Sequence, residues 1–292
     1  MRPILVAGGA GDPNLGTVLD HARALDIPAI DLRIAPGRSP AFDWALPENR
    51  AFLDDVPLDA RGAFLRYDVF ASMADSRAAV SARANGWFTA INAWACSSGV
   101  RLLNRDASPA SSLKPAVLAL ADQVGLRVPV TRVTNALSSL AALDDVSAWV
   151  AKPVAGGDYC RALADGSAAI SADSPNAAIP AIVQRRLDSP ELRLYVVGSV
   201  SVAFELRSES LDYREHQDAR ISEIEVPGEE DAALRRLMAA LRMDFGAADF
   251  KRDPASGEWT FLELNSSPMF ALFDEICGGT IGRAIVRLLA ED

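Results

Sequence analysis

The stretch Thr260–Pro268, TFLELNSSP, constrains this chain more than any other. Its first six residues alternate, and a strand puts i and i+2 on one face. Glu263 and Asn265 should therefore leave one side while Leu262 and Leu264 enter the core. Upstream, Asp249 follows another alternating apolar segment, and the hydrophilic KRDPASGE between them, with Pro254 and Gly257, reads as a hairpin loop. The hairpin brings Asp249 alongside the other two. Two carboxylates and an amide oxygen suit Mg²⁺, which takes a few protein oxygens and completes its octahedron with water and phosphates. An E-x-N triplet alone fits a polar surface hairpin equally well, so the rest of the chain decides.

With 292 residues the chain can bury a sizeable core and divide into two or three lobes. Half its residues are apolar, many of them alanine, which fits helices packed on sheets. A formal charge of −10 disfavours generic nucleic-acid binding and leaves a basic peptide or a small molecule as partner. Cys96, Cys160 and Cys277 include no C-x-x-C, so they read as reduced core thiols of a cytoplasmic protein rather than a disulfide framework or zinc site. His21 and His216 are the only histidines, a poor basis for a histidine metal centre or a Ser-His-Asp hydrolase. The apolar start PILVAGGA is too short for a signal-peptide core, and no run reaches membrane-spanning length.

Residues 3–35 read as strand, turn (GDPNLG), helix (TVLDHARALD) and strand, an α/β opening. Its glycines fit a tight turn better than a phosphate loop, since neither G-x-G-x-x-G nor a Walker lysine is present. GAFLRYDVF is expected as a strand. Ala78–Ser98 is expected as a helix whose Trp87, Ile91, Trp94 and Ala95 form a packing stripe, and VRLLN as a short strand after it. Ser108–Gly125 reads as one helix with Lys114 and Pro115 near its start. RVPVTRVTN, SAWVAKPVAGG with Lys152, YCRAL, AAIS, Ile179–Gln184 and Leu192–Phe204 read as strands. ALSSLAALDD reads as a helix and SPEL as an acidic turn. DAALRRLMAALRMD is an amphipathic helix before the hairpin, and a further helix closes the chain.

Lys114, Lys152, the segment IVQRRLDSPELRLYVVG, and Asp249 with Glu263 and Asn265 follow one another in the order that resembles the ATP-grasp superfamily of carboxylate ligases. The resemblance covers roughly Asn104 to the C terminus. Through LLNR, LKPAVLALADQVGLRVPVTRVTN, AIVQRRLDSPELRLYVVG and ELRSESLDYREH it is most similar to ribosomal peptide maturases of the graspetide type and to ribosomal-protein glutamate ligases. It implies an α/β ATP-grasp fold with an N-terminal pre-ATP-grasp lobe (1–105), a central lobe (106–182) and a C-terminal lobe (183–292), with ATP between the last two. Lys114 and Lys152 would hold phosphates, and Asp249, Glu263 and Asn265 would bind Mg²⁺. The backbone of Gln184, Arg185, Arg186 and Leu187 would pair with adenine, and Glu191 would take the ribose hydroxyls. Arg185 and Arg186 depart from the family, where an acidic residue is common.

Arg193, Arg207 and Arg214 would attend the γ-phosphate and an acyl phosphate, because guanidinium forks match both anions. Salt bridges to Glu205, Glu209 or Asp212 are the structural alternative. Asp212 would orient Arg214 or accept a proton from the nucleophile. The loop AGGDYCRALADG is short beside the family's glycine-rich flap. The implied reaction joins a carboxylate, through an acyl phosphate, to an amine or alcohol with release of ADP. The substrate would be a precursor peptide or a small carboxylate, in the cytoplasm, without nucleic acid or membrane; a homo-oligomer is compatible with this. Alternatives are a small-molecule or protein-tail ligase and a catalytically silent nucleotide-binding protein.

Overall fold

Strand β1 (Ile4–Gly9) runs into helix α1 (Pro13–Ala24) through Asp12, whose carboxylate caps the helix by accepting the Asn14 N–H at 2.9 Å. The helix thus begins four residues earlier than the expected turn allowed, with Pro13 at the position proline favours. The computed structural model describes residues 1–35, 37, 39–141, 143–155, 160–166, 176–208 and 219–291. They form two compact units: Met1–Asp106 with Val197–Val200 and Ser267–Asp292, and Ala107–Val196 with Ser201–Ser266.

In the first unit, β2 (Ala29–Ile34) pairs in parallel with β1. A small antiparallel sheet follows, made of β3 (Phe42–Ala45), β4 (Arg50–Leu53) and β5 (Val56–Pro57). Strand β6 (Gly62–Leu65) ends sooner than GAFLRYDVF suggested, because Asp68 caps a new helix, α2 (Val69–Ala74), by accepting the Ala71 N–H. Helix α3 (Ala78–Ser97) buries Ile91, Trp94 and Ala95 on the sheet, as its stripe predicts, and β7 (Arg101–Leu102) completes a parallel order β2-β1-β6-β7.

The second unit opens with a 3-10 turn at Pro109–Ser112 and helix α4 (Lys114–Gln123). The single expected helix divides here because Pro115 has no N–H to bond back into a preceding turn. Then come β8 (Thr131–Ala136), α5 (Leu137–Ala141), β9 (Trp149–Pro153), β10 (Arg161–Ala162), α6 (Leu163–Gly166) and β11 (Asn176–Arg185). Their sheet has the order β10-β9-β11-β8. The expected strand AAIS lies outside the described residues. Strand β12 (Asp188–Val197) absorbs the expected SPEL turn and reverses at Gly198, φ 55°, into β13 (Val200–Arg207), so Leu192–Phe204 holds a turn.

Strand β14 (Arg220–Ile224) follows, then helix α7 (Gly228–Leu241), whose first turn carries Glu229, Glu230 and Asp231 at the favourable end of its dipole. Strands β15 (Phe245–Arg252) and β16 (Trp259–Asn265) form the expected hairpin, in the order β14-β13-β12-β15-β16. Leu192, Leu194, Val196, Ala248 and Phe250 share a core with Val117, Leu118 and Ala121 of α4 and Leu234, Leu237 and Leu241 of α7. Helix α4 therefore belongs to the five-stranded sheet, although a central lobe running over 106–182 would have grouped it with β8–β11.

After β16 the chain rejoins the first unit through α8 (Ala271–Ile276) and α9 (Thr280–Ala290), so Ser267–Asp292 does not continue a C-terminal lobe. Gly62 explains how closely α9 docks: a Cβ there would lie 2.1 Å from the Leu289 carbonyl oxygen. Among the described residues no helix is long and apolar enough to cross a membrane.

Candidate active site

Since the even-numbered residues of β12 and β15 face the helices, alternation turns Glu191, Arg193, Asp249 and Lys251 to the opposite face. Glu263 and Asn265 join them by a different route. Asp249 pairs with Glu263 but Phe250 pairs with Phe261, so β16 carries one extra residue, Leu262, in a bulge. Unbroken alternation would put Phe261 on the face of Glu263. The bulge instead lets Phe261 and Leu264 both enter the core, while Leu262, expected there, is only half-buried.

The candidate metal ligands are thus together. Asp249 and Glu263 are directly opposed across the hairpin, and Asn265 Nδ2 lies 3.4 Å from Glu263 Oε1. Like charges directly opposite on a sheet repel. Two cations relieve this: Arg193 grips both oxygens of Asp249 at 2.7 and 2.8 Å, and Lys114 Nζ is 3.0 Å from Glu263 Oε2. Two carboxylates and an amide form a donor set that fits Mg²⁺. Among the described residues no group of three or more His, Cys, Asp and Glu offers another centre.

Lys152, on β9, pairs in register with Ile182 of β11 and is half-buried. Desolvation pushes its ammonium below the ordinary lysine value of 10.5, and the nearby charge of Glu263 works in the opposite direction. Lys114 lowers it further, while Cys160 and Asp249 help to hold the proton. Lys152 therefore shares the field of the two candidate metal carboxylates, where a bound phosphate would stabilise its charge.

The hinge is partly committed within the protein. Gln184 is buried, and its side chain donates to Thr131 Oγ1 at 2.8 Å. The Arg185 and Arg186 amides donate to Val130 O and Ala148 O, both at 2.9 Å, leaving Leu187 between the two ladders. The Arg185 guanidinium lies over the Trp149 ring, 5.5 Å from its centroid, and 3.5 Å from Asp144. Arg186 is exposed. Arg207 takes its structural alternative, an exposed pair with Glu205 at 2.7 Å. Asp212 and Arg214 lie outside the described residues, as do residues 156–159 of the short loop.

Lys251 escaped the sequence reading. Its ammonium is 3.7 Å from Glu191 Oε2, and both side chains are largely buried. The hairpin loop expected from the sequence includes it, but β15 extends through Arg252, which places Lys251 two residues from Asp249 on the same face. Continuing the alternation by one step would have found it.

No protein-family model matches the chain, and no curated protein matches it significantly. Solved structures do. The ATP-grasp ligase PsnB, complexed with minimal precursor, Mg and ADP, is 25% identical at a TM-score of 0.75 over 98% of this chain and 97% of its own. The macrocyclase MdnC of Microcystis aeruginosa, bound with precursor peptide MdnA, is 17% identical at a TM-score of 0.75 over 100% of each chain. A RiPP-associated ATP-grasp ligase of Chryseobacterium gregarium, in complex with ADP and a leader and core peptide, is 19% identical at 0.75 over 99% of this chain and 97% of its own. Agreement over whole chains, with the D…E-x-N hairpin in the expected place, identifies the fold of this chain as that of the ATP-grasp ligases.

Proposed function

We propose that the chain is an ADP-forming ligase that activates acidic side chains of a ribosomally made precursor peptide and joins them to side-chain hydroxyls or amines. The observation that carries this reading is the opposed pair Asp249 and Glu263, held by Arg193 and Lys114 within the field of Lys152. The whole-chain likeness to ligases solved with precursor peptides and nucleotide supports the peptide as substrate. In this reading residues 1–105 help to receive the leader, ATP lies between the sheet β10-β9-β11-β8 and the sheet β14-β13-β12-β15-β16, and the reaction runs in the cytoplasm.

Asp249, Glu263 and Asn265 would hold Mg²⁺, which when bound supplies positive charge to the β- and γ-phosphates. Lys114 and Lys152 neutralise non-bridging oxygens, Arg193 presents its guanidinium to the transferred phosphoryl group, and Glu191 receives the ribose. An oxygen of the substrate carboxylate attacks the γ-phosphorus, and ADP leaves with the electron pair of the broken bond. A hydroxyl or amine of the peptide then attacks the acyl carbon, loses its proton and expels phosphate, giving ester or amide.

Incubation with ATP, Mg²⁺ and a Thr-, Ser-, Asp- and Glu-rich precursor peptide should yield ADP and a peptide lighter by one water per crosslink. Hydroxylamine should intercept the activated acyl group. AMP formation that depends on the peptide would overturn the mechanism, and ADP with no change in peptide mass would direct attention to a small carboxylate acceptor.

A further inference from the structure

On the face that carries the candidate ligands, β12 presents Glu191 and Arg193, and β15 presents Asp249 and Lys251. The four charges alternate in both directions. Across the strands Arg193 holds Asp249 at 2.7 and 2.8 Å, and Lys251 Nζ stands 3.7 Å from Glu191 Oε2. Along each strand the acid comes first and the base two residues later. Arg252, one residue on, serves the opposite face, its guanidinium 3.6 Å from the centroid of the Trp259 ring.

Stability alone does not account for the outer pair. The side chains of Glu191 and Lys251 are only 12% and 17% exposed. A buried ion pair is costly to desolvate, and apolar residues of similar volume often stabilise as well or better. The length of the contact also matters. At 3.7 Å it is an ion pair too long for a hydrogen bond, so the ammonium offsets the charge of Glu191 without taking a lone pair. A carboxylate offers about four acceptor sites on its two oxygens, and a ribose diol brings two O–H donors.

We propose that Lys251 is a positioning residue for the nucleoside, anchoring the carboxylate of Glu191 so that its oxygens meet the two ribose hydroxyls. This rests on the reading of Glu191 as the ribose ligand of the proposed ligase.

The test is calorimetric titration of the whole protein with ADP and with 2′,3′-dideoxy-ADP, each in the presence of Mg²⁺. The wild type should prefer ADP by about ten-fold or more, the worth of hydrogen bonds to a charged acceptor. Lys251→Met should lose about ten-fold in ADP affinity with little change for the dideoxy nucleotide. Added to Glu191→Gln, it should cost little more, because both changes act through one carboxylate. Lys251→Arg keeps the cation and should keep most of the preference; a collapse there too would make shape rather than charge the cause and overturn the proposal. If the methionine variant fails to fold, Lys251→Ala, which lets water reach the carboxylate, takes its place with the same expected outcome. Equal losses for both nucleotides, or an unchanged preference, would overturn the positioning role and leave the ligase reading intact. A wild type that binds both nucleotides equally would remove Glu191 from the ribose and the proposal with it, whereas one that binds neither would overturn the ligase reading as well.

Discussion

Arg66 and Arg193 each hold a nearly buried aspartate, Asp12 in one unit and Asp249 in the other, yet the first pair serves the scaffold and the second belongs to the candidate site. Arg66 gives Asp12 one N–H, whereas Arg193 holds both oxygens of Asp249. The next ring of partners differs more. Around Arg66 the remaining donors end on Ser267, Pro268 and Met269, and the second oxygen of Asp12 ends on Asn14. Around Arg193 the charges do not close: Asp249 faces a second carboxylate, which needs Lys114, with a desolvated Lys152 nearby. Burial and pairing alone therefore do not mark function. Like charges kept adjacent against their repulsion do.

The sharpest way to break this comparison is to neutralise each aspartate in turn. Asp249→Asn or Glu263→Gln should bring peptide-dependent ADP release below detection while circular dichroism stays unchanged, because each removes an anionic ligand at constant shape. Retained turnover would return the hairpin to a structural role. Asp12→Ala should act on folding instead, lowering stability by about 3–5 kcal/mol in denaturant titrations because it strands a buried guanidinium.

Much of the candidate site was legible because it lies on one hairpin. Asp249, Glu263 and Asn265 follow from alternation and a loop, both local properties of the sequence. The pairing of Arg193 with Asp249 was not, since β12 and β15 are neighbours only through a sheet order that skips two strands and a helix. The contacts of Asp12, Asn14 and Arg66 were still less accessible, joining residues 54 to 257 positions apart. The bulge at Leu262 is a property of register, which composition and periodicity do not encode. Helix α1 is a different case: its Asp-Pro start was present in the sequence and was hidden by the surrounding glycines.

A smaller effect is expected from the lysines. Lys152→Ala should weaken a non-hydrolysable ATP analogue by about 1.5–3 kcal/mol in calorimetric titration, with Lys114→Ala similar or milder. Unchanged affinity in both would remove them from the nucleotide. The depressed Lys152 pKa also sets a sign. Affinity should fall as pH rises through that value, at a pH below 10.5, as the ammonium is lost. Folding stability should move oppositely: between the folded value and 10.5 the unfolded chain binds more protons, so the protein gains stability with rising pH there.

The smallest effect belongs to Arg207. Exposed and paired with Glu205, it should change stability on Arg207→Ala by less than about 1 kcal/mol in the same denaturant titration. A large loss of ADP formation with that variant would instead restore it to the site, beside Arg193.

Leu262 has a consequence for counting. The residues before it and those after it each already have the side they need, so this strand is one residue longer than its task requires. A chain without Leu262 would pass from Phe261 to Glu263 in plain alternation, aromatic ring inward and carboxylate outward. Alignments with shorter relatives should therefore open their gap at this position. A gap placed one residue later would fall on the candidate ligand Glu263 instead.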